Sequence, residues 1–235
     1  IKVKFFNKKN SPTIIKKRFI DNISKSKLLG VYSINDTKLQ KKIETRLIKK
    51  IKNLSSSCDL VLVSDYGHGF ISEKTAKIFS SIKKFFALNA QVNASNYGYH
   101  SLRKYKNIDN LIINENELRH EMRDKIGDLN KMAFKLKGDL KMNNLIVTRG
   151  KNGAALITKK NEIIYCPAFA NKVMDKVGAG DAMLAVISLC MKIKMPNDLA
   201  LFLGSLAGAT AVENIGNSKF INKDELLRQV QFLIK

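Results

Sequence analysis

Leu60 to Gly69 reads LVLVSDYGHG, an apolar run that ends in a serine, a carboxylate and two glycines. A continuous apolar run fits a strand buried on both faces, as in a parallel sheet. The glycines, and the helical pattern that begins near Ser72, predict a strand, a loop and a helix in that order. This stretch therefore favours an α/β sheet with helices on both sides.

Strands and helices continue to alternate around this stretch, as hydrophobic periodicity and turn residues indicate. In such sheets a ligand binds beyond the carboxyl ends of the strands, where Asp65, Asn114 and Thr148 fall. The predicted strands are residues 13–20, 27–34, 60–64, 86–91, 110–113, 144–148, 154–157 and 163–166. The predicted helices are residues 37–53, 72 onward, 115–138 with a break near Gly127, 179–193, 197–212 and 223–234.

The composition excludes several classes of protein. With 235 residues, 45% of them hydrophobic and 26% charged, the chain is globular rather than disordered or collagen-like. Its net charge of +22 comes mostly from lysines scattered along the whole chain. Nucleic-acid-binding proteins cluster arginine instead, so we expect no nucleic-acid partner, and a basic nucleic-acid-binding protein is the less favoured alternative. The positive field would still attract an anionic substrate.

Cysteine and hydropathy patterns give no sign of a disulfide framework, a secretory signal or a membrane partner. Cys58, Cys166 and Cys190 are odd in number and far apart, which indicates a reducing, cytoplasmic compartment. The histidines show no metal-ligand spacing. Residues 199–212 form the longest apolar stretch, which is shorter than a membrane span and predicts a buried helix.

The most informative motif is DKVGAGD, from Asp175 to Asp181, directly before a predicted helix. The glycines let several backbone N–H groups point outward together, and the helix dipole adds partial positive charge, so the motif predicts a phosphate site. Asp181, in the first helical turn, could accept a proton from an attacking hydroxyl. A tight turn followed by an N-terminal acid is the structural alternative.

Two further motifs follow predicted strands. In NENE, Asn114 and Glu117 fall on one side of a helical turn and could hold the hydration shell of Mg²⁺, although a capping box is, for this motif alone, the simpler explanation. The second motif is TRGKNG, which begins at Thr148. Its glycines, Gly150 and Gly153, would let the backbone approach a nucleotide, although a hairpin turn explains them equally well.

The loop after Asp65 carries a weaker signal. Asp65 could orient a sugar hydroxyl, or it could belong to an ordinary strand-to-helix loop. The sequence has no Walker pattern, no G-x-G-x-x-G after a strand and no triad context around His68. A P-loop, a dinucleotide fold and a triad hydrolase are therefore unsupported.

Together and in this order, the segments resemble the ribokinase-like (PfkB-type) carbohydrate kinases, over nearly the whole chain. The family motifs D-x-x-G-A-G-D, N-x-x-E and T-x-G-x-x-G match the three motifs above. The segments PTIIKKRFID (residues 12–21), DYGHG (65–69) and NENELRHEMRD (114–124) are similar to the heptose-phosphate kinase domain of ADP-heptose synthases. The resemblance implies a three-layer ribokinase-like, Rossmann-like sandwich: a partial β lid over residues 1–36 and a nucleotide-binding core with a mostly parallel sheet over 37–235.

The resemblance also implies a reaction and a set of roles. The reaction is transfer of the γ-phosphoryl group of ATP to a hydroxyl of a sugar or heptose-type sugar phosphate, with Asp181 as base. The phosphoryl cradle would be Gly178, Ala179 and Gly180. Nucleotide contacts would come from Asn114, Glu117, Thr148, Gly150, Gly153, Ser205 and Gly216. Asn114 and Glu117 would hold Mg²⁺ through water, Asp175 a monovalent cation such as K⁺, and Asp65, Lys17 and Arg18 the sugar substrate, the last two by their charge.

Two departures from the family pattern bear on activity. Family members begin with a strand, a Gly-rich segment and an acidic residue that bind the sugar, whereas Ile1 falls inside the lid-like strands, so we expect incomplete sugar recognition. Lys176 stands where the family has threonine. A catalytically silent nucleotide- or sugar-phosphate-binding fragment is therefore the alternative. The resemblance further implies a homodimer through the lid strands and a fused or cooperating nucleotidyltransferase.

Overall fold

The computed structural model describes residues 2–23, 27–92, 96, 98–215 and 218–233. Within these residues eight strands and seven helices follow the predicted order. The strands are β1 Ile15–Ile20, β2 Lys27–Ser33, β3 Leu60–Asp65, β4 Phe85–Ala90, β5 Asn110–Asn114, β6 Asn144–Thr148, β7 Ala154–Ile157 and β8 Ile163–Cys166. The helices are α1 Lys41–Ser56, α2 Glu73–Ser80, α3 Glu115–Met122, α4 Leu129–Asp139, α5 Ala179–Lys192, α6 Asn197–Val212 and α7 Lys223–Leu233. None of these helices combines the length and apolar character that crossing a membrane requires.

One six-stranded sheet forms the centre of the fold, in the order β3-β4-β5-β6-β7-β8. Strands β3 to β6 are parallel, and β7 and β8 add two antiparallel strands at one edge. The mostly parallel α/β sheet predicted from the sequence is confirmed. Its parallel strands end at one edge, where the motifs of interest lie.

The sheet is buried on both faces, because alternate side chains of a strand point to opposite sides. In β4, Phe86 and Leu88 enter one core with side chains of α2, α3 and α4, whereas Ala87 enters a second core with side chains of α5 and α6. Ile112 of β5 and Ile146 of β6 also belong to this second core. The molecule therefore has the three layers that were predicted.

A separate two-stranded antiparallel sheet, β1 with β2, is the predicted lid. Lys16 pairs with Tyr32, and Phe19 pairs with Leu29. Phe19 and Leu29 keep 52% and 56% of their surface exposed, so one lid face presents apolar side chains to solvent.

Two boundaries differ from the prediction, each for a local reason. Helix α1 begins at Lys41 rather than at residue 37, because the side chain of Asn35 binds both the backbone N–H and the hydroxyl of Thr37 in a turn. The break near Gly127 is a full interruption. Asp124 accepts a hydrogen bond from the Gly127 N–H over 2.7 Å, and Asp128 caps the start of α4.

Candidate active site

Polar side chains end four neighbouring strands on the face of the sheet that α5 covers. Ala87, Ile112 and Ile146 face α5. Side chains two positions apart in a strand point to the same face, so the residues two positions further along each strand also face α5. Ser64 joins them because it pairs directly with Asn89 between β3 and β4. The four residues are Ser64, Asn89, Asn114 and Thr148.

Asp181 lies over two of these strand ends. Its Oδ1 accepts hydrogen bonds from Ser64 Oγ at 2.8 Å and from Asn89 Nδ2 at 3.1 Å. Its Oδ2 is 3.4 Å from the hydroxyl of Tyr66, a long contact. The carboxylate is thus fixed through one oxygen, while the other can receive a hydrogen bond from a ligand.

The start of α5 lies beside this carboxylate. Gly178 precedes the helix with φ of +85°, a backbone conformation that side chains other than glycine rarely adopt. The first intrahelical hydrogen bond joins the N–H of Ala182 to the carbonyl of Gly178. The N–H groups of Ala179, Gly180 and Asp181 precede that bond, and N–H groups in this position bind anions.

Asn114 and Glu117 form the capping box at the start of α3, so the structural alternative for this motif is confirmed. Glu117 accepts hydrogen bonds from the N–H groups of Asn114 at 3.0 Å and Val92 at 3.2 Å. Burial raises the pKa of Glu117 above its ordinary value. The two backbone hydrogen bonds lower this pKa in part, and the charge of Asp181 raises it further. A nearby cation would favour the charged form of Glu117.

Glu117 has already used both oxygens on the backbone, which makes contact with Mg²⁺ through water more suitable than direct ligation. In the described part of the chain, no three His, Cys, Asp or Glu side chains gather as a direct metal site.

Thr148 pairs with Asn114 at the end of β6, and a 3₁₀ turn over Gly150–Asn152 follows. The N–H of Arg149 donates to the carbonyl of Gly153 over 2.8 Å, as in a hairpin connection. A Cβ on Gly153 would lie 1.9 Å from the carbonyl oxygen of Cys166, so packing against β8 alone requires this glycine. A Cβ on Gly150 would meet nothing within 4 Å, which leaves that side of the turn open to a ligand.

The structure does not bring Asp65 to this cluster. Asp65 lies on the opposite face of β3 from Ser64, is 3% exposed and binds Tyr105 Oη and Lys104 Nζ, each at 2.7 Å. Burial opposes its ionisation, but the charges of Lys104 and His100 and its hydrogen bonds outweigh burial and lower the pKa of Asp65. Asp65 is therefore placed to hold the loop after β3 rather than to contact a sugar.

The predicted lid residues Lys17 and Arg18 lie on opposite faces of the lid. Lys17 pairs with Val31, and Lys16 and Arg18, its neighbours in β1, point to the other face. Lys16 Nζ lies 5.8 Å from the ring centroid of Tyr66, so the face with Lys16 is the one turned toward the loop after β3.

The remaining predicted residues lie around α6. Asp175 Oδ1 accepts a hydrogen bond from the N–H of Val177, and the N–H of Asp175 donates to the carbonyl of Val212 at the end of α6. Ser205 is half-buried in α6 beside Cys166. Gly216 lies outside the described residues.

Sequence reasoning missed Ser64, Tyr66, Asn89 and Lys16. A signal for Asn89 was present, since it is a polar residue inside the apolar strand FFALNA. Ser64 and Tyr66 flank the aspartate that was chosen in their place. Which of these neighbours faces α5 depends on the position of a helix more than a hundred residues away, and no local pattern contains that information.

The fold is ribokinase-like: it has three layers, a lid, and a helix with a glycine-containing start that places a carboxylate over the strand ends. The chain belongs to the pfkB family of carbohydrate kinases, whose family pattern matches residues 5–224.

Two of the curated relatives give the scale of the sequence similarity. The chain is 33% identical over 191 residues to the Bifunctional protein HldE of Campylobacter curvus, covering 79% of this chain and 40% of that protein. It is 30% identical over 204 residues to the Bifunctional protein HldE of Campylobacter fetus, covering 77% and 43%. The chain thus spans less than half the length of these relatives.

Solved structures agree on the fold. Phosphofructokinase-2 from Escherichia coli in complex with potassium superposes with a TM-score of 0.72 at 17% identity, over 88% of this chain and 67% of that one. Ribokinase from Thermotoga maritima gives 0.68 at 20% identity, over 94% and 70%.

Proposed function

We propose that this chain is a sugar kinase, which transfers the γ-phosphoryl group of ATP to a hydroxyl of a heptose-type sugar phosphate. The observation that carries the proposal is the position of Asp181 in the first turn of α5, where a fixed carboxylate adjoins the N–H groups of Ala179 and Gly180. A proton acceptor and an anion site thus share one helical turn.

In this mechanism Asp181 Oδ2 accepts the proton of the attacking hydroxyl. Phosphoryl transfer passes through a loose transition state, so positioning and charge neutralisation matter more than the strength of the base. The hydrogen bonds from Ser64 and Asn89 hold the carboxylate in the orientation that receives the proton. The N–H groups of the helix start, from Gly178 to Gly180, neutralise part of the charge on the transferring group.

Mg²⁺ and the nucleotide would lie on the adjoining strand ends. Asn114 and Glu117 would hold Mg²⁺ through water, and the ion when bound supplies positive charge to the phosphates. Thr148 and Gly150 would approach the nucleotide, with Gly153 shaping the turn, and Ser205 and Gly216 would border the adenine. Asp175, in the loop before α5, would contribute to a site for a monovalent cation such as K⁺.

The acceptor and the partners are proposals of the same kind. The heptose-type acceptor rests on the resemblance of residues 12–21, 65–69 and 114–124. The name Bifunctional protein of the two relatives supports a second activity, and the resemblance implies that this activity is a fused or cooperating nucleotidyltransferase. The exposed apolar lid face around Phe19 and Leu29 supports a homodimer through the lid. Residues 1–36 would act as the lid region and residues 37–235 as the nucleotide-binding core.

Gly180→Ala tests the proposed anion site. The added Cβ would lie 3.4 Å from Asn89 Nδ2, an ordinary contact, so the helix should still form. The methyl group would enter the space in front of the N–H groups, and we expect ATP–Mg²⁺ affinity by calorimetry to fall by at least about tenfold. Gly138→Ala in α4, where a Cβ meets nothing within 4 Å, is the matched control.

Two results would reject the proposal or its catalytic part. If the unaltered protein fails to bind ATP–Mg²⁺, or both glycine variants bind it equally well, the nucleotide site is wrong. If the protein binds ATP–Mg²⁺ but releases no ADP with any of a panel of sugars and sugar phosphates, it is a silent binding module.

A further inference from the structure

One lysine of the lid lies beside Tyr66, the tyrosine that contacts the proposed base. Lys16 Nζ is 5.8 Å from the ring centroid of Tyr66 and 5.9 Å from that of Tyr32, the residue paired with it across the lid. Tyr66 in turn reaches Asp181 Oδ2 through its hydroxyl. A single tyrosine therefore connects the lid cation to the proposed base.

The charge on Lys16 is only partly compensated. Burial is the main cause that lowers the pKa of Lys16. Tyr32 opposes it, Arg18 adds a smaller lowering effect, and Asp36 has the smallest effect, which raises the pKa. No carboxylate among the described side chains comes within 4.0 Å of its ammonium group. Asp36 is engaged by His68 Nδ1 at 2.7 Å. Aromatic faces attract a cation, but a partly desolvated ammonium gains more from an anion.

We propose that Lys16 binds a phosphate group of a substrate at the reaction centre. This inference rests on the proposed kinase function. It gives the lid a role in that function, which is to bind a phosphate group through Lys16. The phosphate has two sources, the transferring group of the nucleotide or the phosphate ester of the acceptor, and the chemistry that Lys16 recognises is the same in both. Lys17, which the sequence alone favoured, faces the other side of the lid and serves as the comparison.

The first experiment needs no turnover. Lysines of the purified protein are reductively ¹³C-methylated, and the NMR signals of Lys16 and Lys17 are assigned with Lys16→Arg and Lys17→Arg. Inorganic phosphate and then ATP–Mg²⁺ are added. We expect the Lys16 signal to shift and saturate with at least one of them and the Lys17 signal to shift less. An unchanged Lys16 signal, or a larger shift at Lys17, overturns the inference.

The second experiment identifies the source of the phosphate. Lys16→Met should lose at least about tenfold in kcat/KM relative to Lys17→Met, with Lys16→Arg partly restoring it. A rise in KM confined to phosphorylated acceptors assigns Lys16 to the acceptor phosphate, and a fall in kcat with every acceptor assigns it to the transferring group. Lys135→Met, on the exposed face of α4, is the neutral control.

The two proposals fail separately. If the unaltered protein neither binds ATP–Mg²⁺ nor turns over, the kinase function fails, while the NMR titration with inorganic phosphate still decides the role of Lys16. If the protein is active and Lys16→Met equals Lys17→Met, only the role of Lys16 is rejected.

Discussion

Ser64 and Asp181 lie 117 residues apart in the chain, yet Ser64 Oγ donates a hydrogen bond to Asp181 Oδ1 over 2.8 Å. The bond joins the end of β3 to the first turn of α5. Asn89, the partner of Ser64 in β4, donates to the same oxygen. The sheet therefore fixes the direction in which the proposed base points, before any substrate binds.

Removal of this bond should reduce turnover more than binding. Among the described residues, Ser64→Ala leaves Asn89 as the only strong donor to Asp181. A hydrogen bond to a charged group contributes about 1.5–3 kcal/mol, so we expect kcat to fall by about 10- to 100-fold. KM for ATP should stay nearly constant. Ser188→Ala, at a buried hydroxyl of α5 that has no partner among the described residues, is the control. Equal kcat values for the two variants would contradict this role.

The ion pair beneath the site should dominate local stability. The side chains of Asp65 and Lys104 are 4% and 14% exposed, and their charged groups are 2.7 Å apart. Removing one partner of a buried pair costs about 3–5 kcal/mol. Lys104→Met should therefore lower the free energy of unfolding in urea by about that amount. Asp65→Asn in the same chain should recover part of the loss, since the uncompensated charge is gone. A loss below about 1 kcal/mol, as for surface pairs, would show that solvent screens this one.

His100 should make stability depend on pH. The pKa of His100 is lowered from 6.5 to about 4, mainly by burial. The charge of Asp65 opposes this effect, and the charges of Lys104 and His68 add to it. Between these values the unfolded chain binds more protons than the folded one, so the free energy of unfolding rises with pH. His100→Gln should flatten this rise by at most about 3 kcal/mol in urea unfolding between pH 4 and 6.5. His120→Gln, at an exposed histidine of α3, is the matched control, and an equal change of slope in the two variants would contradict the role of His100.

The sequence was sufficient for the elements and for the helix start, but not for the direction of individual side chains. Apolar runs such as Leu60–Asp65 and the glycines around Asp181 are local signals, and the structure agrees with them. Asp65 was chosen as a charged residue after a strand, and Lys17 and Arg18 were chosen for their charge. In the structure Ser64 contacts Asp181 and Lys16 lies beside Tyr66, each one position along the strand from Asp65 and Lys17. Alternation assigns a face only once the helix that covers it is known, and α5 is distant in the chain.

The most direct test of the account is the turnover of Asp181→Asn compared with its ATP–Mg²⁺ affinity. We expect kcat for ADP release with an accepted sugar phosphate to fall by about 10²- to 10⁴-fold, the usual scale for loss of a general base. The dissociation constant for ATP–Mg²⁺ and the unfolding midpoint should change little, because the N–H groups of the helix start remain. Turnover within a few-fold of the unaltered protein would contradict the assignment of Asp181 as the base.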